Sequence, residues 1–237
     1  FGDCFCLRDR KKSLLVDFGT NNSRIEGRPR REIFDVIISD LSTIKSKNLL
    51  LTHFHMDHLS GLLYMMKKKD ISVDFGKIYL PDVFSKKEMS RTLVLLLLAD
   101  LLKESGLPSR QVSLFALVDA LLENKQNVEL LSRGKLFENK YQALWPDTDV
   151  IRKETDEVYN RICEDGKFKE VMDVLLEFAE KLRLIVWSMT AEGNKPAETV
   201  EKETDLTASE LTEQPEVRQK IIRAYVYERE FRRIDRK

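Results

Sequence analysis

The stretch Leu51-Thr52-His53-Phe54-His55-Met56-Asp57-His58 contains every histidine of a 237-residue chain. It continues Asn48-Leu49-Leu50, and the resulting short apolar run reads as a strand covered on both faces. Side chains alternate in direction along an extended segment, so His53 and His55 point the same way and can hold one ion. Asp57 and His58 come next, where the strand gives way to a helix beginning near Leu59 and marked by Leu59, Leu62, Leu63 and Met66. A second ion fits at that junction, close to the first, in the arrangement that activates a water for hydrolysis. Imidazole combined with carboxylate suits zinc, and manganese or iron accepts the same mixed set. The pattern therefore predicts metal ligation by His53, His55, Asp57 and His58.

Outward from this point, the first third of the chain reads as β-rich. Cys4-Phe5-Cys6-Leu7 and Ser13-Leu14-Leu15-Val16-Asp17 flank a charged turn and predict a hairpin. Gly19 to Ser23 is a polar turn, Glu32 to Ser42 a short helix or strand, and Lys77 to Pro81 another strand. Lys67-Lys68-Lys69 suits the carbonyl end of the helix after His58. Beyond Ser85 helical patterns dominate. Helices are predicted over 86–105 and 109–124, a short strand pair over about 128–146 (Val128 to Leu131 with Lys140 to Pro146), and helices from Asp149 to Trp187 with a break at Asp165-Gly166. The chain thus divides into 1–85, a mainly helical region 86–190, an acidic linker 191–215 and an amphipathic basic helix 216–237.

Composition limits the classes of function. With 42% apolar and 34% charged residues the chain suits a soluble globular protein. Forty basic and forty acidic residues cancel, so a nucleic-acid partner must be met by a local patch. The run Leu93 to Ala99 is interrupted by Asp100 and Lys103, well short of the roughly 20 residues of a membrane span, and reads as a buried helix. Three cysteines without a signal-like segment predict a cytoplasmic protein with no disulfide framework. Cys4 and Cys6 are expected to pack on a core strand, and Cys163 inside a helix.

The segment Leu51 to Gly61, "LTHFHMDHLSG", resembles the second motif of the metallo-β-lactamase superfamily, a strand ending in Thr-His-x-His-x-Asp-His before a helix with a nearby glycine. Gly2 to Leu7 and Leu14 to Gly19 look like the opening hairpin of that family, whose second strand ends in an aspartate beside the metals. Ala143-Leu144-Trp145-Pro146 is similar to a strand of the DNA-uptake, or competence, nuclease branch. The resemblance implies a four-layered αββα sandwich carrying a large helical insertion or appendage. It also implies two zinc ions, the first on His53 and His55 and the second on Asp57 and His58, with Asp17 in support and Asp17 and Asp57 taking part in catalysis. The expected activity is that of a phosphodiesterase or nuclease.

The family completes its centre with downstream histidines, and this chain has none after His58. Three readings follow. The chain is the N-terminal part of a longer domain, as its start at Phe1 and its charged end suggest, and the remaining ligands lie elsewhere. Alternatively, carboxylates such as Asp147 and Asp149, or Cys163, fill the gap. In the third, the protein is a non-catalytic interaction or scaffold subunit with a degenerate site, its helical region docking a protein partner. Nucleic acid would be met at the metal site or by the helix 216–237, where Tyr225, Tyr227 and Phe231 lie among basic residues, although that helix reads first as an ordinary solvated amphipath and only second as a nucleic-acid surface.

Overall fold

The computed structural model describes residues 4–8, 12–68, 74–104 and 114–191, so the predicted basic helix 216–237 and all of the acidic linker except Ala191 lie outside the described residues. Strands β1 (Phe5–Arg8) and β2 (Ser13–Val16) form the predicted antiparallel hairpin, with Phe5 opposite Val16 and Leu7 opposite Leu14. A two-stranded ribbon, β3 (Arg24–Ile25) with β4 (Arg28–Pro29), leads into α1 (Arg30–Ser42). The segment left open between helix and strand is a helix because Phe34, Ile38 and Leu41 recur at its period and are buried together. Next come β5 (Lys47–Leu50), α2 (Met56–Met66), β6 (Ile78–Pro81), α3 (Ser90–Glu104), α4 (Leu114–Glu123) and β7 (Val128–Leu131). A second ribbon, β8 (Leu136–Phe137) with β9 (Tyr141–Gln142), precedes α5 (Thr148–Cys163) and α6 (Gly166–Ser188).

The result is a mixed α/β architecture around one five-stranded sheet of order β1-β2-β5-β6-β7, in which β2, β5, β6 and β7 run parallel. Parallel neighbours need crossover connections, and the helices between the strands supply them. Leu15, Leu49, Ile78 and Val128 form one row across the sheet and are buried in the main core with residues of the helices. Complete burial of such side chains contributes about 1.5–3 kcal/mol each. The core also takes in Leu93, Val94 and Leu97 of α3 and Leu175, Ala179 and Val186 of α6, so the helical region shares the hydrophobic interior of the sheet. Among the described residues no helix is long and apolar enough to cross a membrane.

The opposite face of the sheet is covered differently. Leu14, Tyr79 and Leu131 pack there against Phe137 and Ala143, beside Val16 and Leu50. Toward the edge, Phe5 and Leu7 of β1 remain 58% and 46% exposed.

Four expectations need correction. The helix after the histidine motif begins at Met56 instead of near Leu59, which moves Asp57 and His58 into its first turn. Val128–Leu131 joins the main sheet beside β6, and only Tyr141–Gln142 of the segment 140–146 is extended, in a ribbon with β8. Leu144 (80% exposed) and Trp145 (57% exposed) project from an irregular connection, so Ala143 to Pro146 is not the strand that the nuclease-branch similarity implied. Cys4 and Cys6 are exposed instead of packed in a core, because β1 is the edge strand and little covers it. The break at Asp165-Gly166 separates α5 from α6 as expected.

Candidate metal centre

The centre forms where the end of β2 meets the first turn of α2. Asp17, the residue after β2, has φ 55°, a left-handed conformation that aspartate tolerates better than most residues. Its N–H donates to the Leu50 carbonyl at 2.8 Å, extending the pairing of β2 with β5. The next residues lace onto α2. Phe18 N donates to His58 O at 2.9 Å, and Phe18 O accepts from Gly61 N at 2.9 Å and Leu62 N at 3.1 Å. Thr20 and Ser60 exchange bonds of 2.8 Å, Thr20 N to Ser60 Oγ and Ser60 Oγ to Thr20 O.

Two glycines permit this approach. A Cβ on Gly19 would lie 2.7 Å from His58 C and Leu59 N and 2.8 Å from Asp57 O, all backbone atoms of the helix. One on Gly61 would lie 2.6 Å from the Phe18 ring.

Asp17 is 3% exposed, and burying a carboxylate is costly unless hydrogen bonds replace the lost water. Three donors do so. Oδ1 accepts from Thr52 N at 2.8 Å, while Oδ2 accepts from Thr52 Oγ1 and from His58 Nδ1, each at 2.8 Å. Thr52 Oγ1 also lies 2.9 Å from His53 Nδ1.

Above this carboxylate the imidazoles cluster. The ring centroids of His53 and His58 are 3.8 Å apart, and those of His53 and His55 4.7 Å. One potential ligand atom from each of His53, Asp57 and His58 lies within 4.8 Å of the other two, and His58 Nε2 is 3.9 Å from Asp57 Oδ2. Ligands of a tetrahedral zinc at 2.0–2.2 Å sit roughly 3.4 Å from one another, near the 3.9 Å between His58 Nε2 and Asp57 Oδ2. The donor set therefore fits a borderline cation such as zinc. Of the four predicted ligands the structure groups three, and His55 lies alongside with its ring against His53. The basicity of His53 is lowered by burial first and then by His58 and His55, with Asp17 and Asp57 opposing. A neutral imidazole is the form that binds metal.

The substitute ligands weighed from the sequence lie elsewhere. Asp147 caps α5, accepting from Asp149 N and Val150 N, and pairs with Arg133 at 3.0 Å. These bonds, that to Val150 first, hold its carboxyl below the usual range. Asp149 is exposed in the first turn of α5, 3.9 Å from Arg152. Cys163 packs against the core from the end of α5, where burial raises its thiol pKa. None of the three joins the histidine group. In the sequence, Thr52, Gly19 and Gly61 stand inside the motifs without a role of their own. For Thr52 the available signal was a hydroxyl directly before a ligand.

Comparison with known proteins finds similarity over part of the chain. Residues 1–82, about a third of the sequence, match the metallo-beta-lactamase superfamily. A stretch of 77 residues is 32% identical to the Endoribonuclease YSH1 of Mycosarcoma maydis, covering 32% of this chain and 8% of that protein. The chain thus spans only a small fraction of the length of the curated relative it matches. No solved structure matches the chain.

Proposed function

We propose that the chain carries part of the active centre of a zinc-dependent phosphodiesterase acting on nucleic acid. The observation that carries this reading is the buried Asp17 carboxylate, which bonds His58 Nδ1 and leaves the Nε2 of that ring 3.9 Å from Asp57 Oδ2, with the His53 ring alongside. A carboxylate behind a histidine is the usual support of a metal ligand. The match of residues 1–82 to a superfamily rich in metallohydrolases, and the similarity to a protein named as an endoribonuclease, support a phosphodiester of RNA as the bond cleaved.

In this proposal His53, Asp57 and His58 hold the ion, with His55 placed to join them or to begin a second site. Zinc supplies a Lewis acid that stabilises charge developing on a phosphoryl oxygen and acidifies water toward neutral pH. The contribution of the protein is to fix the donors. Asp17 holds the His58 ring, and residues 17–20 hold the first turn of α2, which presents Asp57. The second sheet of an αββα sandwich belongs to the same proposal, since it would cover the exposed Phe5 and Leu7 at a sheet-to-sheet distance of about 10 Å.

Metal analysis with hydrolysis tests the reading. The protein should bind zinc stoichiometrically and cleave a generic phosphodiester or RNA, and His55→Ala combined with Asp57→Ala should abolish cleavage. One observation favours a second reading, a non-catalytic subunit that retains half of a site: among the described residues only three donors are grouped. Less than one ion per chain, with no cleavage by the intact protein, would select it.

A further inference from the structure

The hydrogen bonds around Asp17 carry more than the position of one ring. A carboxylate only accepts, so both groups at Oδ2, the Thr52 hydroxyl and His58 Nδ1, must be donors. The Thr52 hydroxyl has one proton, and Asp17 receives it. Toward His53 Nδ1, 2.9 Å away, Thr52 Oγ1 can then offer only a lone pair. His53 must meet it with an N–H at Nδ1, and a neutral imidazole so protonated has a bare Nε2.

We infer that Thr52 is a positioning residue that relays the polarity of Asp17 to His53, so that one buried carboxylate sets both His53 and His58 in the tautomer whose Nε2 is free for metal. His58 is set directly and His53 through the hydroxyl. The inference rests on the proposed metal centre for its purpose, but the tautomers themselves are properties of the metal-free chain.

The relay has a chemical alternative to beat. Without it, a histidine at a strand end interconverts between tautomers, and zinc must select the competent one. Such supporting partners of metal-binding histidines typically change affinity 10- to 100-fold. The backbone bond from Thr52 N to Asp17 Oδ1 does not involve the threonine side chain, and Thr52 is exposed, so Thr52→Val removes the hydroxyl from a chain that should still fold.

The test uses the full chain, 15N-labelled and metal-free, with long-range proton–nitrogen correlation spectra of its three imidazoles at neutral pH. In the wild type, His53 and His58 should each show Nδ1–H and an unprotonated Nε2. Thr52→Val should return His53 to a mixture of tautomers, leave His58 unchanged and weaken zinc binding about 10-fold in a chelator competition. Thr52→Ser, which retains the hydroxyl, should restore both. An Nε2–H tautomer at His53 in the wild type would overturn the relay, as would a Thr52→Val protein with unaltered His53 signals and zinc affinity, or a failure of Thr52→Ser to rescue. A wild type with both expected tautomers that takes up no zinc would leave the relay standing and remove the metal reading instead.

Discussion

Gly19→Ala is the sharpest probe of how the centre is built. The new methyl would sit 2.7 Å from His58 C and Leu59 N and 2.8 Å from Asp57 O. Comfortable carbon contacts begin near 3.5 Å, so roughly 0.8 Å must be found. None of the obstructing atoms belongs to a side chain that could rotate away. The helix is also tied to the Gly19 loop by Phe18 N to His58 O and by Gly61 N and Leu62 N to Phe18 O, so either those bonds stretch or the first turn of α2 shifts. Overpacking of this kind costs about 1–3 kcal/mol, which for a domain of this size lowers the melting temperature by roughly 2–12 °C. The same shift moves Asp57 and His58 relative to His53, and functional groups tolerate only about 0.5 Å of misplacement, so zinc affinity should fall at least about 10-fold. Thermal unfolding with and without zinc, together with chelator competition, measures both. Gly166→Ala is the control, since beyond its chain neighbours and the backbone of its own helix nothing lies within 4 Å of its Cβ position, and it should be neutral or stabilising by up to about 1 kcal/mol. A Gly19→Ala protein that melts within a degree of the parent and binds zinc equally well would refute the description of this loop as a close clamp on α2.

Other expectations follow from the same groups. Asp17→Asn replaces an all-acceptor group facing three donors with one that turns an N–H₂ toward some of them, so it should destabilise the fold by about 1.5–3 kcal/mol in urea titrations and reduce zinc affinity 10- to 100-fold. If that protein matches the parent in both assays, Asp17 does not organise the site. Zinc at 100 times its dissociation constant should add about 2.7 kcal/mol of stability, roughly 5–11 °C in melting temperature, reversed by a chelator; calorimetry showing no shift would count against a folded-state site. His53 has a lowered pKa, so the unfolded chain takes up a proton near the ordinary value of 6.5 while the folded chain resists until lower pH. Its contribution is therefore a loss of stability as pH falls below about 6.5 and none above it. Urea midpoints of metal-free protein against pH, compared with His53→Asn, should show that extra slope only in the parent.

Legibility in the sequence divided along physical lines. The strands of the sheet and the break between α5 and α6 were readable because local pattern decides them, as with the apolar run Leu49 to Leu51 and the turn just before Gly166. Long-range pairing was not readable. Nothing local distinguishes Val128–Leu131 as the fifth strand of the sheet from one arm of a hairpin, since its partner β6 lies some fifty residues earlier. The start of α2 was placed late because the apolar period begins at Leu59, whereas the helix begins at Met56, with the extended His55 as its cap. That difference carries chemistry. It places Asp57 and His58 one apart in a helical turn instead of along an extended chain, and it lets His58 reach back to Asp17, forty-one positions earlier.

The same contrast explains why the motif alone understates the centre. Residues 51–58 supply the donors, but an octapeptide cannot choose their tautomers or hold them together against chain entropy. Both tasks fall to the segment 17–20, which contributes no ligand to the group. Its buried carboxylate, its left-handed turn and its one glycine without room for a methyl each act on α2 or on Thr52. Because these contacts exist only when β2 is paired with β5 and α2 is docked, donor arrangement and folding are one equilibrium. In the proposed metal centre, free energy gained on binding an ion would then be free energy of folding, and damage to the loop far from the ligands in sequence would register as a loss of metal affinity.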